Sequence, residues 1–237
     1  HTRYRLVTGV QSCALPILSK DETIVRMPFE VRHMGSKYPI FSFDFTGAKR
    51  GVLPASYDYL RLEGRMQYRL NLPPIGYSQL ILEGGKIFGK VPYLLLKLHE
   101  GNGTYFYDRY AFSCINFYEF SSDAWISFFY EHHFNGFLLG RVPLLKKLNW
   151  REVFVFKGVY GTLSARNYGS LPNTKAVMLF PVGMSSVEHP YLETGFGIEN
   201  IFRLLRVDCI WRLTHHRAVP GLSIPTFTVN FSLNLKF

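Results

Sequence analysis

The chain has 237 residues, 27 Lys and Arg against 17 Asp and Glu for a formal net charge of +10, and a composition that is 47% hydrophobic and 16% aromatic. A mean hydropathy near zero and the lack of any run of about eighteen apolar residues exclude a helical membrane protein, and three cysteines are too few for a disulfide framework. The positive charge forms no arginine-rich run or basic helix and alternates with carboxylates, which excludes nucleic acid as a partner.

Val7 to Ile17, V-T-G-V-Q-S-C-A-L-P-I, resembles the conceptual translation of a common sequencing-library adapter, and the preceding T-R-Y-R-L belongs with it. Residues 1–17 are therefore set aside as non-native. Native sequence is expected from Leu18 onward, with a signal peptide and an upstream domain of the same chain preceding it.

Glu22 to His33 alternates, with Thr23, Val25, Met27, Phe29 and Val31 on one face and Glu22, Arg26, Glu30 and Arg32 on the other. Pro28 within it marks an edge or a bulge. After a turn, Pro39, Phe41, Phe43 and Phe45 face one way while Ser42 and Asp44 face the other; Gly47 to Pro54 connects. Tyr57 to Leu70 is the clearest internal strand, Leu60, Leu62, Met66, Tyr68 and Leu70 opposing Tyr59, Arg61, Glu63, Arg65, Gln67 and Arg69. That length exceeds a typical soluble strand of about 5–6 residues and suits a tilted membrane strand of about 9–11.

Asn71 to Gly76 turns, and Tyr77 to Lys86 returns. Ile87 to Asp108 breaks the alternation and carries Gly89, Pro92, Gly101 and Gly103, so it reads as a long loop. Arg109 to Phe120 and Ser122 to His133 are then expected to form a hairpin. The first sets Tyr110, Phe112, Cys114, Tyr118 and Phe120 outward; the second sets Ala124, Ile126, Phe128 and Tyr130 against Asp123, Ser127, Glu131 and His133. Phe134 to Trp150 connects, with an amphipathic turn from Val142 to Lys147.

Arg151 to Leu163 places Phe154, Phe156 and Tyr160 opposite Lys157, and Ser164 to Pro190 is the longest connection. Tyr191 to Asn200 puts Glu193, Gly195, Gly197 and Glu199 inside, and Arg206 to His216 opposes Val207, Cys209, Trp211 and Leu213 to Asp208, Arg212 and Thr214. Thr226 to Phe237 alternates without exception and ends on an aromatic. Long two-faced strands, abundant Tyr and Phe, and polar loops predict an all-β fold, an antiparallel transmembrane β-barrel of about ten strands that is the C-terminal part of a larger barrel. A soluble β-sandwich is disfavoured by strands this long. A periplasmic C-terminus would put Ser164 to Pro190 outside the cell and the loops Ile87 to Asp108 and Phe134 to Trp150 inside.

The stretches G-K-I-F-G-K-V-P-Y-L-L-L (85–96), Y-E-F-S-S-D (118–123), H-H-F-N-G-F-L-L-G-R-V-P-L-L-K-K-L-N-W-R-E-V (132–153) and G-I-E-N-I-F-R-L-L-R-V-D (197–208) carry a resemblance to a known family. The chain resembles the C-terminal barrel of an uncharacterised Gram-negative outer-membrane family, whose members place a carboxypeptidase-regulatory-like β-sandwich before a barrel related to the Omp85 surface-antigen type. The resemblance implies an outer-membrane protein and offers no catalytic residues to carry over. The sandwich, despite its name, does not imply peptidase activity.

Within such a barrel Arg61, Glu63, Arg65, Arg69, Glu131, Glu193, Glu199, Asp208 and Arg212 are expected to face the lumen, because an Arg on the lipid face would cost about 2–4 kcal/mol. Phe231, Leu233, Leu235 and Phe237 are expected to form the C-terminal signal read by the outer-membrane assembly machinery. Adjacent histidines on a strand point to opposite faces, so His132 and His133 do not chelate together. No metal, cofactor or catalytic residue is therefore expected. The expected partners are outer-membrane lipid, the assembly machinery through the C-terminal strand, and the missing N-terminal domain of the same chain. The expected function is non-enzymatic, in transport or in protein export and assembly across the outer membrane. The alternatives are a barrel hydrolase using Ser127, His133 and Glu131, and a structural barrel with a plugged lumen.

Overall fold

Period-two alternation becomes β-structure along most of the chain. The computed structural model describes residues 12–26, 31–49, 57–169, 178–216 and 223–233. Among these the strands are β1 (Ser12–Ala14), β2 (Ile17–Leu18), β3 (Glu22–Arg26), β4 (Val31–Ser36), β5 (Ile40–Ala48), β6 (Tyr59–Asn71), β7 (Tyr77–Gly89) and β8 (Lys97–Leu98). They continue with β9 (Phe120–Ser122), β10 (Ala124–His133), β11 (Arg151–Thr162), β12 (Ser185–Ser186), β13 (Tyr191–Ile201), β14 (Leu205–Arg212) and β15 (Phe227–Leu233). Helix is limited to α1 (Pro143–Lys146) and two short 3-10 turns.

Ten strands form one sheet in the order β1-β5-β6-β7-β10-β11-β13-β14-β15, with β2 also paired to β5. Every pairing within it is antiparallel. The strands β8, β9 and β12 form a smaller sheet, and β3 pairs with β4. The fold is all-β and mostly antiparallel; among the described residues the large sheet does not close into a barrel. Ser12–Ala14 and Ile17, set aside on sequence grounds, lie along β5 together with Leu18.

The register sorts side chains onto two chemically distinct faces. One row across the sheet reads Tyr68, Leu80, Tyr130, Phe156, Thr194, Trp211 and Phe227. The adjacent row, on the other face, reads Arg69, Gln79, Glu131, Val155, Gly195, Ile210 and Thr228. The first face is bare: Phe41, Phe45, Leu60, Ile126, Phe196 and Phe227 are all exposed. The second is covered by residues 90–119, and there Val153, Val155, Lys157, Tyr191, Glu193 and Ile210 are buried.

Three sequence expectations change. Glu22 to His33 is not one strand: β3 stops at Arg26, two residues before Pro28, and the chain returns as β4. Pro28 and Glu30 themselves lie outside the described residues. Arg109 to Phe120 is not a strand of the sheet; β7 pairs directly with β10 across 10 register positions, leaving no slot between them. Phe112, Cys114 and Phe120 are consequently buried rather than outward.

Losing that strand also changes the parity of the connections. Residues 90–123 leave the sheet at the same end as 163–190, not the opposite end. This end also carries 49–58 and 213–226, whereas the other carries 72–76, 134–150 and 202–204.

Candidate functional site

The segment 90–119 has glycines at 101 and 103, a proline at 92 and no sustained alternation, and beyond the two-residue β8 and a bridge at Phe106 it builds no ladder with a neighbouring strand among the described residues. Its buried backbone groups must find partners elsewhere, and the charged side chains of the covered face supply them. The Glu193 carboxylate accepts the Ser113 N–H at 2.9 Å and the Cys114 N–H at 3.1 Å. The Lys157 ammonium donates to the Asp108 carbonyl at 2.9 Å and the Ala111 carbonyl at 2.5 Å, and lies 4.0 Å from Glu193. Arg212 donates to the Cys114 carbonyl at 3.0 Å and pairs with Glu119 at 2.6 Å.

Further along, Tyr107 donates to Glu131, which also takes Arg109 at 3.0 Å. Lys97 pairs with Glu83 at 2.8 Å and with Glu100 at 3.0 Å. Phe112 packs between Phe129 and Tyr191, with ring centroids at 5.0 and 5.5 Å. At the sheet's edge, the Phe231 N–H donates to the Tyr105 carbonyl and its carbonyl accepts the Tyr107 N–H, both at 2.7 Å. Three residues of the segment thus lie along β15, at the edge where the sequence places the strand that closes a barrel.

All nine charges expected on one face share the covered face. They do not share one cluster. Glu131, Glu193, Glu199, Asp208 and Arg212 are buried; Glu199 meets His133 at 3.1 Å and Asp208 meets Arg206 at 2.7 Å. Arg61, Glu63 and Arg65 on β6 are half-buried; Arg61 pairs with Glu63, and Arg65 with Glu83 at 2.8 Å. Arg69 is exposed at the end of β6 and stacks over Tyr77.

Sequence reasoning missed Glu83, Lys97, Tyr107, Arg109 and Arg206. Parity with Asp208 and Arg212 would have found Arg206, and parity on β7 would have found Glu83. Nothing periodic marks the three in the segment. Room for Asp208 comes from Gly197 opposite it, since a Cβ there would collide with the Asp208 carboxylate. In the tail, Phe231 and Leu233 lie on the bare face and are exposed; Leu235 and Phe237 lie outside the described residues.

Two arrangements that the sequence offers for chemistry do not form. Ser127 stands six residues from His133, about 20 Å along the strand at roughly 3.3 Å per residue, so the Ser127, His133 and Glu131 set does not assemble. His132 bonds Ser78 at 2.8 Å while His133 stacks on Tyr77 on the other face. Among the described residues no group of three His, Cys, Asp or Glu is placed to hold a metal. Burial, reinforced by Glu193, pushes the Cys114 thiol up to about 12, which leaves it protonated and unreactive.

One histidine of the segment makes its seating sensitive to acid. His99 is buried, its Nε2 is 3.0 Å from Ser122 Oγ, and its Nδ1 has no hydrogen-bond partner among the described residues. Burial first, and then the charge of Lys97, lower its pKa to about 3, with Glu83 opposing. The seated segment therefore holds His99 neutral, whereas a released one takes up a proton below about 6.5. Seating is fully supported above about pH 6.5 and weakens as pH falls toward 3. The opening free energy across residues 90–119, read from hydrogen exchange corrected for the intrinsic rate at each pH, should fall between pH 7 and pH 4, and His99→Gln should flatten that fall.

The family described as "Family of unknown function (DUF5686) C-terminal domain" matches residues 22–170. None of the curated proteins matches the chain.

Proposed function

The chain belongs to the family of unknown function DUF5686, as its C-terminal domain, and we propose that it is a non-enzymatic outer-membrane β-barrel protein of Omp85-like type that contributes to transport or to protein export and assembly. The observation that carries this reading is one sheet with a bare aromatic face and a covered charged face. In water, a contiguous bare face holding Phe41, Phe45, Ile126 and Phe196 is an aggregation liability; in lipid it is the outer wall of a barrel. The lumen would then hold the charges, filled by residues 90–119.

The connections support the same reading, since outer-membrane barrels carry long loops outside and short turns on the periplasmic side. The end of β15 falls on the side of the turns 72–76 and 202–204, which supports a periplasmic C-terminus, with the connections 90–123 and 163–190 leaving at the outer end and the first folding back into the lumen. Passage through the lumen requires the segment to leave its seat. The burial of Glu193 and Lys157 beneath it favours a second reading, a structural barrel whose plug stays in place.

The test is outer-membrane fractionation of the full-length protein followed by denaturing electrophoresis with and without heating. A heat-dependent shift in mobility is expected, and a protein found wholly in the soluble fraction removes the proposal. The C-terminal signal makes a further prediction. Phe237→Ala should lower outer-membrane levels several-fold through failed assembly, and normal levels would count against that role.

A further inference from the structure

At the end of the sheet with the short turns, two connections lie side by side: Asn200 Nδ2 donates to the Asn149 carbonyl at 2.7 Å. The first, residues 134–150, exposes Leu138, Val142 and Leu148 together with Arg141, Lys146 and Lys147. The second, residues 202–204, exposes Phe202, Arg203 and Leu204.

Phe202 is 87% exposed, and both it and Arg203 hold a left-handed backbone at φ 49° and 68°. Such a conformation is unfavourable for a non-glycine residue. The turn is closed by the Arg203 N–H on the Asn200 carbonyl and the Leu204 N–H on the Ile201 carbonyl, both at 3.1 Å, which holds the Phe202 ring out from the sheet.

Charge is one-sided here. Among the described residues none of Arg141, Lys146, Lys147 and Arg203 pairs with a carboxylate. The two carboxylates nearest in sequence are occupied: Glu152 accepts the Leu139 N–H, and Glu199 is buried against His133. The opposite end instead mixes exposed Lys49 and Lys90 with Asp58, Glu100 and Glu188.

We propose that this rim is a membrane-anchoring surface that binds the headgroups of anionic phospholipids, with Phe202, Leu204 and Val142 inserted beside them and the four cations on the phosphates. Side chains with apolar bodies and cationic tips fit that boundary. The inference rests on the barrel reading and adds to it a lipid class and a leaflet, the periplasmic one.

The experiment reconstitutes the full-length protein in phosphatidylcholine vesicles containing either brominated phosphatidylglycerol or brominated phosphatidylcholine. Quenching of Trp150, at the end of the first connection, is read as the difference from Trp150→Phe. Half-quenching is expected at about one-fifth the mole fraction of phosphatidylglycerol needed with phosphatidylcholine, the factor that about one cation contributes near an anionic surface. The variant Arg141→Glu, Lys146→Glu, Lys147→Glu, Arg203→Glu should lose the difference. The milder Lys147→Gln, Arg203→Gln pair should halve it should the first variant not assemble. Equal mole fractions for an integrated wild-type protein, or an undiminished preference in the variants, overturn the rim alone. A protein that never enters the vesicles overturns the rim and the barrel together.

Discussion

Glu193→Ala should destabilise the folded protein by about 3–5 kcal/mol, the range for removing one partner of a buried ion pair. Glu193 and Lys157 are both fully buried, with 4.0 Å between their charged atoms. Removing the carboxylate leaves the Lys157 ammonium without its counter-charge and orphans the Ser113 and Cys114 N–H groups that Glu193 accepts. Each buried, unmade hydrogen bond adds roughly 1–3 kcal/mol. The effect should fall on the segment as well as the sheet: residues 104–114 should become protease-sensitive in protein that remains folded. Glu193→Gln, which keeps an acceptor for the two N–H groups, should recover part of the loss. Urea titration of purified, reconstituted protein measures all three, and equal stabilities for Ala and wild type would show that the segment is not seated by this carboxylate.

Phe196→Arg should reduce membrane-integrated protein by an amount equivalent to about 2–4 kcal/mol, the cost of Arg at the lipid-facing midplane of a barrel. Phe196 lies in the middle of β13, in register with Phe154 and Cys209 on the bare face, and is 60% exposed. In water the same exposure makes the substitution nearly neutral, within about 0.5 kcal/mol. The sign and size of this one change therefore separate a lipid-facing wall from a soluble sheet. Ile198→Arg, on the same face closer to the strand end, should cost less, because the penalty falls to about 0–1 kcal/mol near the interface.

The large sheet was legible where period-two alternation was strong. In β6, β10, β11, β13 and β14 the register puts Arg61, Glu131, Lys157, Glu193 and Asp208 on one face, as their parity dictates. What parity cannot reveal is which partner an alternating stretch pairs with. Tyr110, Phe112, Cys114, Tyr118 and Phe120 alternate well enough to imitate a strand, yet Asn116 breaks the pattern and β7 and β10 already satisfy each other's edges. The segment's apolar side chains instead pack onto Phe129 and Tyr191, and its backbone is held by ions. The seat of the segment was half visible for that reason. Its sheet residues follow a period, whereas Lys97, Tyr107 and Arg109 depend on long-range contacts that no local pattern encodes.

On the proposed barrel reading the bare face meets lipid and the covered face does not. The most direct test of that reading is labelling of the reconstituted full-length protein with a photoactivated carbene probe carried in the acyl chains, followed by peptide mapping. Adducts are expected on Phe128, Phe154, Phe156 and Phe196 and none on Val153, Val155, Lys157 or Glu193. Adducts on both sets alike, or on neither, would contradict it.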